Sequence, residues 1–185
     1  SGKLEPTNDA YAIAKISGIK LCDSYREQYG FNAISLMPTN LYGPNDNFDL
    51  KSSHVIPALI RKFCEAKRYN LPQVECWGSG KPKREFLHVD DLADACVFMM
   101  KNYSDYGHIN VGTGVDISIY ELASKIKKML RYEGEIIWDK QKPDGTARKV
   151  LDVTKINNFG WKHKIDLDQG LMETIDWYKK SLEHG

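Results

Sequence analysis

Ala33-Ile-Ser-Leu-Met37, set between Gly30 and Pro38, is the stretch from which the fold is read. Five residues dominated by apolar bulk and closed by a proline predict a short buried strand. Upstream, Thr7, Asn8 and Asp9 offer N-caps for a helix that runs to about Tyr29 and stops at Gly30. The first half of that helix, Ala10 to Ile19, is apolar or small almost all round, which predicts cover on more than one side. Downstream, Pro38-Thr-Asn-Leu-Tyr-Gly-Pro44-Asn-Asp-Asn47 is polar, turn-rich and too long for a tight turn. In an open α/β sheet, a loop after a strand's carboxyl end is where ligands bind.

The same alternation continues to the end of the chain. His54 to Phe63 predicts a second helix, with Pro57 tolerable in its first turn. Val74-Glu-Cys-Trp77 is a strand, and Gly78-Ser-Gly-Lys-Pro-Lys-Arg84 a basic turn. Phe86 to Val89 reads as another strand, leading into a helix capped by Asp90 or Asp91 and ending near Asn102. His108 to Val111 is a strand, and Gly112-Thr-Gly114 a loop. Ser118 and Glu121 then form a capping box for a helix to Arg131. Glu135 to Trp138 is a strand, Pro143-Asp-Gly145 a turn, and Asp166-x-x-Gln169 opens a terminal helix that ends near Leu182. Strands alternating with helices predict an α/β protein.

Composition narrows the function classes. The 185 residues carry a formal net charge of +1, with 42% hydrophobic and 28% charged residues. This balance points to a globular chain and away from nucleic acid or a membrane surface as main partner. No apolar run approaches the ~20 residues of a membrane span, and the start lacks the apolar core of a signal peptide. Cys22, Cys64, Cys76 and Cys96 are scattered, with no C-x-x-C and no histidine at zinc-ligand spacing. The expectation is free thiols in a reducing cytoplasm and no metal site.

Tyr11 and Lys15 lie four residues apart, one turn along one helix face. A phenol is a poor acid or base at neutral pH, and a neighbouring ammonium favours its phenolate, so the pair is a workable proton-transfer device. Gly112-Thr-Gly114 resembles a dinucleotide fingerprint until its third position is read: Ile117 stands where glycine would permit close helix–strand packing. It is therefore read as a strand-to-helix loop, and no other stretch offers a phosphate cradle. Lys81, Lys83 and Arg84 cluster in the basic turn and suit a diphosphate, or equally a solvated charged turn. Trp77 could present an aromatic face to a base or sugar, or pack in a core. His54 at a helix start is structural or catalytic, and Asp144 is explained as a turn former.

Together these motifs resemble the extended short-chain dehydrogenase/reductase family, and within it the GDP-sugar epimerase-reductases. The resemblance rests on Leu4-Glu-Pro-Thr with Tyr11-Ala-Ile-Ala-Lys15, and on Met37-Pro-Thr-Asn-Leu-Tyr-Gly-Pro44 with Asp46-Asn-Phe48. Ser53-His-Val-Ile-Pro-Ala-Leu59, Trp77-Gly-Ser-Gly80 and Arg84-Glu-Phe-Leu-His-Val-Asp-Asp91 continue it, and Asn110 to Asp116 with Lys142-Pro-Asp-Gly-Thr146 complete it. It implies the C-terminal part of a Rossmann-type doubly wound sheet with a smaller α/β substrate-binding domain. Residues 1–50 would belong to the dinucleotide-binding domain, and residues 51–185 mostly to the substrate domain, with segments returning to the sheet. Family members open with a glycine-rich βαβ unit and place a catalytic serine and cysteine before the Tyr-Lys helix. The sequence has none of these, so the expectation is a fragment, or a second chain that supplies them.

The resemblance also implies a chemistry. The substrate would be GDP-4-keto-6-deoxy-D-mannose and the product GDP-fucose, through 3,5-epimerisation and NADPH-dependent 4-reduction. His54 matches the family's catalytic histidine, Tyr11 would hydrogen-bond the C4 oxygen, and Lys15 would hold the nicotinamide ribose. Pro38, Thr39, Asn40 and Leu41, with Lys15 and His54, would line the cofactor. Lys62, Trp77, Arg84 and Asp144 would contact the GDP-sugar, with Arg61 as an alternative to Lys62. The family packs the Tyr11 helix against its twin, implying a homodimer. Rival readings are another nucleotide-sugar epimerase or dehydratase, or a non-catalytic GDP-sugar-binding fragment.

Overall fold

A computed structural model describes Leu4 and residues 8–183; Thr7, one of the expected N-caps, lies outside them. Helix α1 spans Asp9–Tyr29 and ends at Gly30, whose φ of 64° is the left-handed conformation glycine adopts freely. None of its residues is buried. The expectation that this helix is covered on more than one side is therefore corrected for this chain. Its anchors lie in its second half: Asp23 accepts a bond from the Gly107 amide at 2.9 Å, and Arg26 donates to the Ala33 carbonyl at 2.8 Å.

Strand β1 (Ser35–Pro38) pairs in parallel with β5 (His108–Val111), so residues remote in sequence return beside it. The stretch read as a loop after Pro38 contains a strand, β2 (Asn40–Tyr42), parallel to β4 (Lys83–His88). Lys83 and Arg84 thus belong to β4 and not to the basic turn. Antiparallel β6 (Asp116–Ser118) and the two-residue β8 (Arg148–Lys149) also pair with β4. A separate parallel pair joins β3 (Gln73–Trp77) to β7 (Glu135–Asp139).

Strand β4 is the seam between two cores. Successive side chains on a strand point to opposite faces. Phe86 accordingly enters one core and Leu87 the other. The first core packs α2 (Val55–Arg68), α4 (Ile119–Met129) and α6 (Leu167–Glu183) through Phe63, Ile60, Ile126 and Leu171. The second gathers Ala95 and Met99 of α3 (Val89–Asn102), Ile109 and Val111 of β5, and Ile156 of α5 (Thr154–Asn158). Each of these larger side chains, Ala95 excepted, contributes about 1.5–3 kcal/mol by leaving water.

Local signals explain most helix starts. Pro57 occupies the first turn of α2, where its missing N–H has no partner to lose. Ser118 and Glu121 complete the capping box at α4. The cap of α3 differs from expectation. β4 runs into the helix without a loop, and the His88 side chain accepts from the Asp90 amide at 3.3 Å. Asp91, expected as a cap, is buried and receives the Lys164 and Ile165 amides.

Candidate active site

Tyr11 and Lys15 share a face of α1, with the Lys15 ammonium 5.4 Å from the ring centroid of Tyr11. The ring is 60% exposed. Among the described residues, no hydrogen bond or ion pair joins either side chain to His54 or to Pro38–Leu41.

At the carboxyl end of β1, Pro38 is exposed and Thr39 buried. Thr39 donates its amide to the Val111 carbonyl at 3.0 Å. The Thr39 hydroxyl (3.1 Å) and the Asn40 amide group (2.7 Å) both donate to the Glu85 carbonyl. Leu41 packs against the second core. Two of these four side chains are thus used to fasten the segment to β4. His54 precedes α2 in extended conformation and makes no capping bond with its side chain, so its exposed imidazole is available for other work.

A second group converges around Trp77, which is 60% exposed and not a core residue. The Lys62 ammonium lies 5.6 Å from the indole and is fixed by the Glu75 carbonyl at 2.8 Å. Lys142 approaches the same ring at 5.4 Å. Arg61 is committed elsewhere, to Glu65 at 2.7 Å and the Phe48 carbonyl at 3.1 Å. Asp144 accepts from the Ser79 amide at 2.6 Å and the Ser79 hydroxyl at 2.7 Å. Those bonds, then the charges of Lys81 and Arg84, hold its carboxyl below the usual carboxylate range. Gly78, at φ 80°, is needed for this latch, since a Cβ there would stand 2.4 Å from an Asp144 oxygen.

Arg84 is half-buried on β4. Register places Lys149 of β8 directly opposite it, on the same face. Lys149 was not singled out from sequence, and Lys142 only as the start of the Lys142–Thr146 motif and not as a site residue, although basic residues flank the Pro-Asp-Gly turn on both sides. The result is a cationic, aromatic surface suited to an anionic ligand with a ring. A groove of about 680 Å³ beside Tyr120, Lys128 and His163 is lined by none of the site residues expected from sequence.

A profile of the NAD dependent epimerase/dehydratase family matches residues 1–112. The chain belongs to that family. Among curated relatives, the probable GDP-L-fucose synthase 1 of Oryza sativa subsp. japonica is 57% identical over 182 residues, covering 98% of this chain and 56% of the relative. GDP-L-fucose synthase of Escherichia coli (strain K12) is 55% identical over 191 residues, covering 98% and 60%. A solved GDP-L-fucose synthetase from Naegleria fowleri bound to NADP superposes with a TM-score of 0.90 at 30% identity, over 98% of this chain and 59% of that one. The chain therefore spans less than two thirds of the length of these epimerase/dehydratase relatives. Its fold is the Rossmann-type α/β arrangement of that neighbour. Among the described residues, no helix is long and apolar enough to cross a membrane.

Proposed function

We propose that this chain carries the Tyr–Lys pair and the sugar-nucleotide face of a GDP-L-fucose synthase. The reaction is 3,5-epimerisation and 4-reduction of GDP-4-keto-6-deoxy-D-mannose. The observation that carries this reading is the order of groups on and around α2. His54 opens the helix, and Lys62 lies eight residues on, ~12 Å along the axis. Lys62 meets Trp77, and Arg84, in register with Lys149, reaches the Asp144–Gly145 turn that is latched to Ser79, two residues from Trp77. A diphosphate and its base occupy the cationic, aromatic end, which leaves the hexose toward the imidazole.

The C4 ketone acidifies the protons at C3 and C5. At each centre a base, in the family a cysteine that these residues do not include, takes the proton and His54 donates one to the opposite face. Tyr11 hydrogen-bonds the C4 oxygen where charge develops. Lys15 keeps a positive charge one turn from that phenol and takes the nicotinamide ribose hydroxyls. The donor set fits that end of the cofactor, because phenol and ammonium share one exposed helix face. Pro38 to Leu41 line the same end. When bound, NADPH supplies the hydride for C4, and Tyr11 gives the oxygen its proton. On this reading residues 1–50 are dinucleotide-domain and residues 51–185 mostly substrate-domain. Four unbridged cysteines support a cytoplasmic setting. The exposed apolar Ile13, Ile16 and Leu21 of α1 support a homodimer through that helix.

The test is a chimera in which these residues replace the matching part of the Escherichia coli relative. In D₂O with substrate and NADPH, it should form product labelled at C3 and C5, and His54→Gln should abolish the label. Undiminished labelling in H54Q, or no turnover by the parent chimera, overturns the assignment.

A further inference from the structure

Glu85 is fully buried in β4, and the chemistry above makes no use of it. One carboxylate oxygen accepts from the amides of Thr113 at 2.6 Å and Gly114 at 2.7 Å. The other accepts from the Leu151 amide at 2.7 Å. The Gly112-Thr-Gly114 loop therefore cradles an anion, but the anion is this side chain. A Cβ on Gly112 would lie 2.2 Å from the carboxylate, so the loop closes on it at the distance only glycine allows.

The residue reaches two parts of the site at once. Its backbone carbonyl receives the side chains of Thr39 and Asn40, from the segment assigned to the nicotinamide. Its neighbour Arg84 is assigned to the diphosphate. Through Leu151, its carboxylate pins the strand end that carries Lys149, in register with Arg84. We propose that Glu85 is a positioning residue that sets the diphosphate cations Arg84 and Lys149 against the Pro38–Leu41 segment. This rests on the reading of the Arg84–Trp77 face as a GDP site.

A glutamine has nearly the same shape but only one acceptor oxygen. If that oxygen keeps the Thr113 and Gly114 amides, its NH₂ group faces the Leu151 amide, donor against donor, and the strand carrying Lys149 is released. Asp91 gives a matched control, because it is also buried and clamps two amides, at Lys164 and Ile165, with no hydrogen bond to Arg84, Lys149 or Pro38–Leu41 among the described residues. The experiment titrates GDP calorimetrically into the 185-residue chain and its Glu85→Gln, Glu85→Asp and Asp91→Asn variants, with urea unfolding measured for each. The expected result is at least a tenfold loss of GDP affinity in E85Q and E85D, with D91N within twofold of the parent at a comparable loss of stability. Parent-like affinity in E85Q, or an equal loss in D91N, overturns the proposal. Should E85Q fail to fold, hydrogen exchange on the parent decides. GDP should slow the Thr113, Gly114 and Leu151 amides, and no change at all three refutes the coupling. A parent that binds no GDP refutes the reading of the face itself.

Discussion

Replacing Gly112 by alanine tests the buried carboxylate cradle without touching any residue assigned to ligand. Gly112 is not in the left-handed region, so its backbone accepts alanine without strain. The added Cβ would stand 2.2 Å from the Glu85 oxygen and 3.0 Å from its carboxyl carbon, where ordinary contact begins near 3.4 Å. The carboxylate must retreat by about 1 Å, and with it go the bonds from Thr113 and Gly114. Hydrogen bonds to a charged group contribute ~1.5–3 kcal/mol each, so the loss should be on the order of 3–5 kcal/mol. That is a large part of a typical ~5–15 kcal/mol total. In a domain of this size it corresponds to a fall in Tm of roughly 10 °C. Urea unfolding followed by far-ultraviolet circular dichroism should give a midpoint about 2 M lower with an unchanged slope. A loss under ~1 kcal/mol would refute the reasoning, since a well-packed cradle cannot absorb a methyl group at that distance.

Two further outcomes follow from the titrating groups. Asp144 is held ionised by Ser79, so its contribution to stability is complete above the ordinary carboxylate range and disappears only as pH falls through its lowered value. Ser79→Ala should move the Asp144 carboxyl resonance to titrate at higher pH; an unmoved titration would show that the Ser79 hydroxyl does not hold it. Burial raises the Cys76 thiol to about 11, so at pH 8 it stays protonated and covered. Alkylation followed by mass spectrometry should find Cys76 protected in the native chain and reactive in urea; native labelling at the unfolded rate would contradict its burial.

How much was legible in the sequence depended on the range of the signal. Helix α1 ended where Gly30 said it would, and the Ser118–Glu121 box opened α4 as read, because both are local devices. Strands β2 and β8 were not legible: two or three residues become strand only by pairing with β4. The cap of α3 was misread because an imidazole replaced the usual carboxylate where strand and helix join without a loop. In the site, the i,i+4 spacing of Tyr11 and Lys15 was readable from the residues, whereas Lys62 and Trp77 came together only through the family resemblance. Lys149 was hidden, since its partnership with Arg84 exists only through register. The exposed face of α1 was misjudged because composition tells that a helix wants cover, not whether this chain supplies it.

Calorimetric titration of the chain with GDP and with UDP goes to the centre of the assignment. GDP should bind with a clear heat, UDP at least tenfold more weakly, and Arg84→Ala and Trp77→Ala should each abolish the GDP signal. Equal affinity for the two nucleotides, or GDP binding that survives both substitutions, would mean that the Lys62–Trp77–Arg84 face does not recognise a GDP-sugar.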